Sequence, residues 1–397
     1  MTQVAGGFEA SGIARSAADG VAPLREALLG GAGFTVAPAP ARVLFGAGTL
    51  HRLPELVDEL GARRVLVVAS AGRGALVERV AALLGGRLAD VDTRVAMHVP
   101  VALAHAVSAR AAQLGADLVL AVGGGSAIGM AKAIALGGGP ACIAVPTTYA
   151  GSEMTPVWGM TRDGEKQTGR DERVRPRAVL YDPTLMLELP PRVSGPSALN
   201  AAAHCVEALY APDVNPVVAL LAAEGLRAIA AGAPRVVRVP TDLTARTGTL
   251  YGAWLAGLAL GACTMGLHHK LCHVLGGSFG MPHAETHAVL LPHTVGYNAG
   301  AAPAAMAVAA GALASGMGRA VDTNGVPDAL HALVTDVVRA AGAPGSLRDL
   351  GMQEADLSRA AELAAARPYP NPRPVLAEPV HALLLRAFEG LPPVSDG

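Results

Sequence analysis

The sequence predicts two domains, an α/β N-terminal nucleotide-binding domain on a parallel sheet and an all-α C-terminal domain. Three observations lead there. Short continuous apolar runs such as Val65–Ala69 (VLVVA) alternate with helical periodicity, as strands buried on both faces do when crossover helices join them. The alternation stops after Leu189-Pro190-Pro191, and from Ser197 the chain reads as helix after helix. A glycine run, Gly123-Gly124-Gly125, directly follows one apolar run. In open parallel sheets ligands sit beyond the carboxyl ends of the strands.

Taken in order, residues 1–33 are rich in Ala, Gly and Ser and read as a flexible extension. Residues 34–190 carry the α/β pattern. A strand at Arg42–Phe45 is followed by a turn at 46–49 and a helix with Leu50, Leu53, Leu56, Val57 and Leu60 on one face. Val65–Ala69 is a buried strand, 76–84 a helix, 93–98 a strand by its alternation, and 102–114 a helix. The strand 118–122 runs into the glycines and a helix holding Met130, Lys132 and Ile134. The strand 142–145 ends at Pro146-Thr147-Thr148, and 179–181 is the last strand. Residues 191–397 are expected to form the helical catalytic domain.

Composition narrows the function. The chain has 397 residues, enough for two domains, and its 31 basic and 32 acidic side chains nearly cancel. No basic run or aromatic-interleaved patch suggests nucleic acid. Apolar stretches such as 252–262 are too short and glycine-interrupted to span a bilayer, and the N-terminus does not read as a signal peptide. Four scattered cysteines without a CxxC pair fit free thiols in a reducing cytoplasm.

Two groups of residues carry chemistry. Gly123, Gly124, Gly125 and Ser126 join a buried strand to a helix, where glycines let backbone approach a phosphate and unpaired N–H groups favour an anion. The run is neither GxGxxG nor a Walker loop, so a plain tight turn is the competing reading. Thr147, Thr148 and Ser152 add hydroxyls one strand further on, for a ribose or an amide, or simply as turn chemistry. The second strand ends at Ser70 with no acid to grip a ribose 2′-OH, and Arg73 nearby is compatible with a 2′-phosphate.

The other group lies in 266–293, GLHHKLCHVLGGSFGMPHAETHAVLLPH, which holds six of the twelve histidines. His269 and His273 are four apart on one helix, Asn200 and His204 four apart on another, and His283 follows a Gly-rich turn. Three imidazoles from two segments suit an open metal site, but position 200 offers an amide where a divalent cation wants a carboxylate. Glu207, three residues after His204, is the alternative acid. Cys272 is read as a buried small hydrophobe or a thiol beside histidines.

GGGSAIG, VPTTYAGSEMTP, NAAAHCVEA and GLHHKLCHVLGGSFGMPHAETHA together resemble the iron-containing alcohol dehydrogenase superfamily. Within it PTTYAGSEMTP, LCHVLGG, PHAETHA and the late Asn371-Pro372-Arg373-Pro374 are most similar to the maleylacetate reductase branch. The resemblance runs from about Phe34 to Leu391 and implies a site in the cleft between two domains, a homodimer, and NADH or NADPH as cofactor. The activity it implies is reduction of the C=C bond of maleylacetate to 3-oxoadipate in aromatic catabolism, with a small dicarboxylate as substrate. In metal-dependent relatives the ligands are Asp, His, His and His, at positions matching Asn200, His204, His269 and His283. The missing Asp agrees with a branch that works without metal, the fallback ligands being His204, His269 and His283. His273 is the first choice for proton donor or enolate stabiliser. His204, His269, His283 and His287 are expected to hold carboxylates or the enolate, with Lys270 as a more distant cation. The competing expectations are an Fe²⁺- or Zn²⁺-dependent alcohol or aldehyde reductase and a cyclase similar to dehydroquinate synthase.

Overall fold

The computed structural model describes residues 42–70, 72–162 and 165–394; the extension 1–33 lies outside them. In the first half the elements are β1 (Arg42–Phe45), α1 (Leu53–Glu59), β2 (Val65–Ala69), α2 (Gly74–Leu84), β3 (Leu88–Asp92) and α3 (Val101–Gln113). They continue with β4 (Leu118–Gly123), α4 (Gly125–Leu136), β5 (Cys142–Pro146), β6 (Val157–Arg162), β7 (Glu165–Arg170) and β8 (Ala178–Tyr181). Six strands form one parallel sheet in the order β1-β8-β5-β4-β2-β3. Every residue of β2, β4, β5 and β8 is buried, which is why these segments read as continuous apolar runs.

The chain adds β3 on one side of β2 and then returns to place β4 on the other. That reversal opens a crevice beyond the carboxyl ends of β2 and β4. Ser70, after β2, and Gly123, ending β4, stand on its two sides. The backbone ladder runs one residue further on each neighbour: Ser70 N donates to Val122 O at 3.3 Å and Thr147 N to Gly123 O at 2.9 Å.

Two elements differ from the sequence reading. The strand expected at 93–98 is instead Leu88–Asp92, and 93–98 leaves the sheet. The alternation in 93–98 resembles a strand, but Asp92 turns the chain by accepting from the Arg94 backbone and guanidinium. His98 and Val99 then take φ of 60° and 45°. The second element is the unanticipated antiparallel hairpin β6–β7, which fastens this loop through Thr161 N to Val99 O and Thr161 Oγ1 to His98 O.

The second half is helical: α5 (Pro191–Leu209), α6 (Pro216–Arg238), α7 (Leu243–Ala262), α8 (Leu267–Phe279) and α9 (His283–Ala299), then α10 (Pro303–Met317), α11 (Val326–Ala341), α12 (Leu357–Ala365) and α13 (Ala377–Glu389). Asn215 caps α6 by accepting from Val217 N and Val218 N, and Asp242 caps α7 at Ala245 N. Small residues bring the axes close. A Cβ on Gly225 of α6 would lie 2.8 Å from Cys205 Sγ of α5 and 3.2 Å from Gly252 O of α7. Among the described residues one single helix, α6, is long and apolar enough to cross a membrane, and 67% of its apolar window is buried inside the protein, as in a core helix. All four cysteines are buried thiols outside any disulfide.

One contact matters most for the site. The loop after β5 meets α7 backbone to backbone, because a Cβ on Gly257 would lie 2.8 Å from Gly151 O. A Cβ on Gly151 would lie 3.5 Å from His204 Cδ2. The loop after β5 is thereby set against the histidine-bearing helices.

Candidate active site

The glycine loop is a cradle that side chains would fill. Gly123 has φ of 149°, and a Cβ there would sit 2.6 Å from Ser70 Oγ. A Cβ on Gly124 would sit 2.8 Å from Thr148 Cγ2. Gly124 is the N-cap of α4 and makes no side-chain cap, so the first N–H groups of Gly125 and Ser126 face the crevice. Thr147 Oγ1 and Thr148 Oγ1 are buried without a hydrogen-bond partner. Backbone donors, room at the glycines and two unsatisfied hydroxyls fit a dinucleotide. Ser152 is engaged otherwise, since Lys132 Nζ donates to its carbonyl at 2.6 Å. Lys132 also donates to Thr155 Oγ1 at 3.0 Å and Val157 O at 2.8 Å. Burial pushes its ammonium down to about 7, so Lys132 splints the loop 152–157 rather than reaching a phosphate.

Across the cleft, α5, α8 and α9 bring the histidines together. α5 carries Asn200, His204 and Glu207, all buried. α8 carries His268, His269, Lys270 and His273, and α9 opens at His283 and carries His287. Ring centroids lie 4.9 Å apart for His204–His269, 5.0 Å for His269–His287, 4.4 Å for His283–His287 and 6.3 Å for His269–His273. His293, counted with them in the sequence, faces elsewhere, beside His331 and Arg386.

Hydrogen-bond partners assign the tautomers. The Ala150 carbonyl can only accept, so His204 Nε2 donates to it at 3.2 Å. Burial and the neighbouring His269 hold His204 well below the ordinary imidazole range, so it is neutral and its Nδ1 accepts. His269 Nε2 therefore donates to His204 Nδ1 at 2.9 Å. His269 Nδ1 meets Glu207 Oε2. Glu207 also accepts from the backbone N–H groups of Gly266, His268 and His269, the first turn of α8. Burial alone would raise the Glu207 carboxyl, but the His269 ring and these donors outweigh it and hold it below the usual carboxylate range. A carboxylate on one side and a lone pair on the other leave His269 donating at both nitrogens. A buried imidazolium–carboxylate pair results.

A second chain runs alongside. Thr294 Oγ1 donates to the carbonyls of Leu290 and Leu291, so His268 Nδ1 donates to Thr294 Oγ1 at 2.9 Å. His268 Nε2 then accepts from His287 Nδ1 at 2.9 Å. Burial lowers His268 to about 3 and His287 well below the imidazole range, so both are neutral. His287 Nε2 is left as a buried lone pair without a partner.

His269 and His273 line a cavity of about 220 Å³ with Lys270, Arg367 and Tyr369. Sequence reasoning missed three contributions. Glu207 was weighed only as a metal ligand, yet it is occupied by the α8 N-terminus and His269. His268 and Thr294 fix the orientation of His287. Arg367 and Tyr369 lie about a hundred residues from α8, and no local pattern ties them to it.

The residues do not fit a resident divalent cation. His204 and His269 direct their facing nitrogens at each other and their outer nitrogens at Ala150 O and Glu207. Position 200 supplies an amide whose Oδ1 is buried and unpartnered. Among the described residues, the three donors whose ligand atoms gather within 4.8 Å of one another are His268, Cys272 and His287, not His204, His269 and His283. No step below passes through a metal.

Residues 40–183 match the family described as iron-containing alcohol dehydrogenase, and residues 196–388 match the C-terminal region of the same family. The chain is 49% identical over 352 residues to a maleylacetate reductase of Burkholderia cepacia, covering 89% of this chain and 97% of that one. It is 52% identical over 351 residues to maleylacetate reductase 2 of Cupriavidus pinatubonensis, covering 88% and 95%. The crystal structure of maleylacetate reductase from Agrobacterium tumefaciens superposes with a TM-score of 0.83 at 45% identity, covering 91% of this chain and 99% of that one. This chain belongs to the iron-containing alcohol dehydrogenase family, in its maleylacetate reductase branch, and is an oxidoreductase.

Proposed function

We propose that the chain reduces the C=C bond of maleylacetate to give 3-oxoadipate, with NADH or NADPH as donor and without a metal. The observation that carries this reading is the imidazolium–carboxylate pair of His269 and Glu207 at the wall of a cation-lined cavity. The Gly123–Ser126 loop, with Ser70, Thr147 and Thr148, would hold a reduced nicotinamide dinucleotide, which would supply a hydride.

Maleylacetate carries a ketone conjugated to its double bond. Hydride addition at the carbon beta to the ketone moves charge to the ketone oxygen as an enolate. The His269 ring lines the cavity where that charge develops, and with both N–H groups held by His204 and Glu207 before the substrate arrives it acts through its field, without reorganisation. His273, one turn along α8 in the same cavity, gives a proton to the carbon alpha to the ketone. His204 keeps His269 turned toward the cavity, and His283 and His287 close the site from α9. Asn200 adds a dipole but no negative charge, which suits a substrate that already carries two. The same reading has the enzyme act as a cytoplasmic homodimer in aromatic catabolism.

The direct test mixes the protein with maleylacetate and either NADH or NADPH, follows absorbance of the reduced nicotinamide, and identifies the product. One equivalent of 3-oxoadipate per nicotinamide oxidised is expected. Oxidation with small aldehydes but not with maleylacetate defeats the reading.

A further inference from the structure

The segment 367–374, which includes the Asn371-Pro372-Arg373-Pro374 motif, has no part in the steps above. Its seat is specific. Asn371 Oδ1 accepts from Leu267 N at 3.2 Å, the first residue of α8, and Asn371 Nδ2 donates to Asn298 Oδ1 and to Arg373 O, each at 2.7 Å. Tyr297 OH donates to Pro374 O at 2.7 Å, and the Arg373 guanidinium stacks 4.4 Å from the Tyr297 ring centroid. Gly266 permits this approach, because a Cβ there would lie 2.9 Å from Asn371 Oδ1 and 3.0 Å from Pro370 O. The strap is thus clamped to the same turn of α8 that Glu207 holds from the other side.

Clamped there, the strap delivers Arg367 and Tyr369 to the cavity opposite His269, Lys270 and His273. Lys270 Nζ lies 5.9 Å from the Tyr369 ring centroid. Among the described residues no carboxylate pairs with Lys270 or Arg367. Glu207, an acid bordering this turn, is already occupied. Two cations without a carboxylate partner thus line one cavity and make it a favourable place for an anion. The cavity of about 220 Å³ is small beside the ~300–1,000 Å³ typical of drug-sized ligands, and suits a short acid.

We propose that Arg367 and Lys270 clamp the carboxylate at the acetate end of the substrate, beyond the ketone from the double bond, and that the Asn371 strap positions Arg367 to do so. The inference rests on the maleylacetate reading. Arg367 offers a planar fork that matches a carboxylate with two parallel hydrogen bonds, while Lys270 adds a point charge. Together they fix which end of the diacid lies away from the nicotinamide. The clamp therefore sets specificity for a dicarboxylate, and the histidines carry the reaction.

The test compares wild type, Arg367→Ala and Arg367→Lys with maleylacetate and with its monomethyl ester at the acetate end. Arg367→Ala is expected to raise KM for the diacid about 10- to 100-fold, the range for losing hydrogen bonds to a charged group. Its kcat is expected to change little, its KM for the ester to stay at the wild-type value, and Arg367→Lys to restore part of the loss. An unchanged KM for the diacid, or an equal rise for both substrates, overturns the clamp. Calorimetric titration of adipate in the presence of NADH supplies a readout without turnover. Weaker adipate binding in Arg367→Ala than in wild type is expected, and equal binding refutes the clamp whichever substrate the enzyme reduces. Failure of wild type to oxidise NADH or NADPH with maleylacetate would instead sink the functional reading.

Discussion

Glu207 has three tasks that a sequence pattern presents as one. It accepts from three backbone N–H groups at the start of α8, neutralises the positive end of that helix, and holds the outer nitrogen of His269. Replacement by glutamine keeps the size but removes the charge. Glu207→Gln is expected to lower kcat on the order of 100-fold, as loss of one preorganised charge does, with NADH affinity near wild type. Steady-state kinetics and a separate nucleotide titration check this; wild-type kcat would show that the pair is ornamental to the reaction. At this scale the sequence revealed much of how the candidate site is gathered. The i, i+4 spacings Asn200–His204 and His269–His273 fall on helix faces that turn to one cleft. Which nitrogen donates was not legible, because it depends on partners such as the Ala150 carbonyl and Thr294 hydroxyl that come from other elements. Arg367 was illegible for the same reason: only the seating of Asn371 against Leu267 and Asn298 brings it to α8.

Among the elements, the turn from β4 into α4 carries a steric argument that bears on the nucleotide. Gly124 lies against Thr148, the nearest contact being the Thr148 methyl at 2.8 Å from an ideal Cβ. Gly124→Ala is expected to weaken NADH binding at least about tenfold by forcing the two strand ends apart. Adding Thr148→Ser removes that methyl and is expected to restore part of the affinity, as fluorescence titration of the nucleotide would measure. No recovery in the double variant would place the cost elsewhere. Buried parallel strands announced themselves in sequence because both faces are covered, as at VLVVA. The hairpin β6–β7 did not, since Val157–Arg162 is half-exposed and interrupted by glycine. Strand β3, LADVD, was hidden by two acids whose charges are met by Arg110 and Arg94, contacts formed only in the folded chain.

For the molecule as a whole, four neutral histidines in the helical half couple folding to pH. His204, His268, His287 and His293 are buried and held below the ordinary imidazole value of 6.5, His268 and His293 at about 3. In the unfolded chain each binds a proton as pH falls through about 6.5, while the folded chain does not. The unfolded state therefore holds more protons in this window, and stability falls as pH drops from about 6.5 toward 3. Glu207, held low in the folded state, adds a loss in the same direction at the acid end. The unfolding midpoint temperature should decline steadily below pH 6.5, and His293→Gln, away from the cleft, should flatten the slope by about one proton. A midpoint independent of pH between 6.5 and 4.5 contradicts the neutral assignments. Under the proposed function, an imidazolium held by Glu207 takes the place of a cation in an iron-family fold. The most direct test of this reading is metal analysis of protein dialysed against a strong chelator, followed by maleylacetate-dependent NADH oxidation. Undiminished turnover at far less than one metal per chain is the predicted result. Turnover lost on chelation and restored by Fe²⁺ or Zn²⁺ would contradict it.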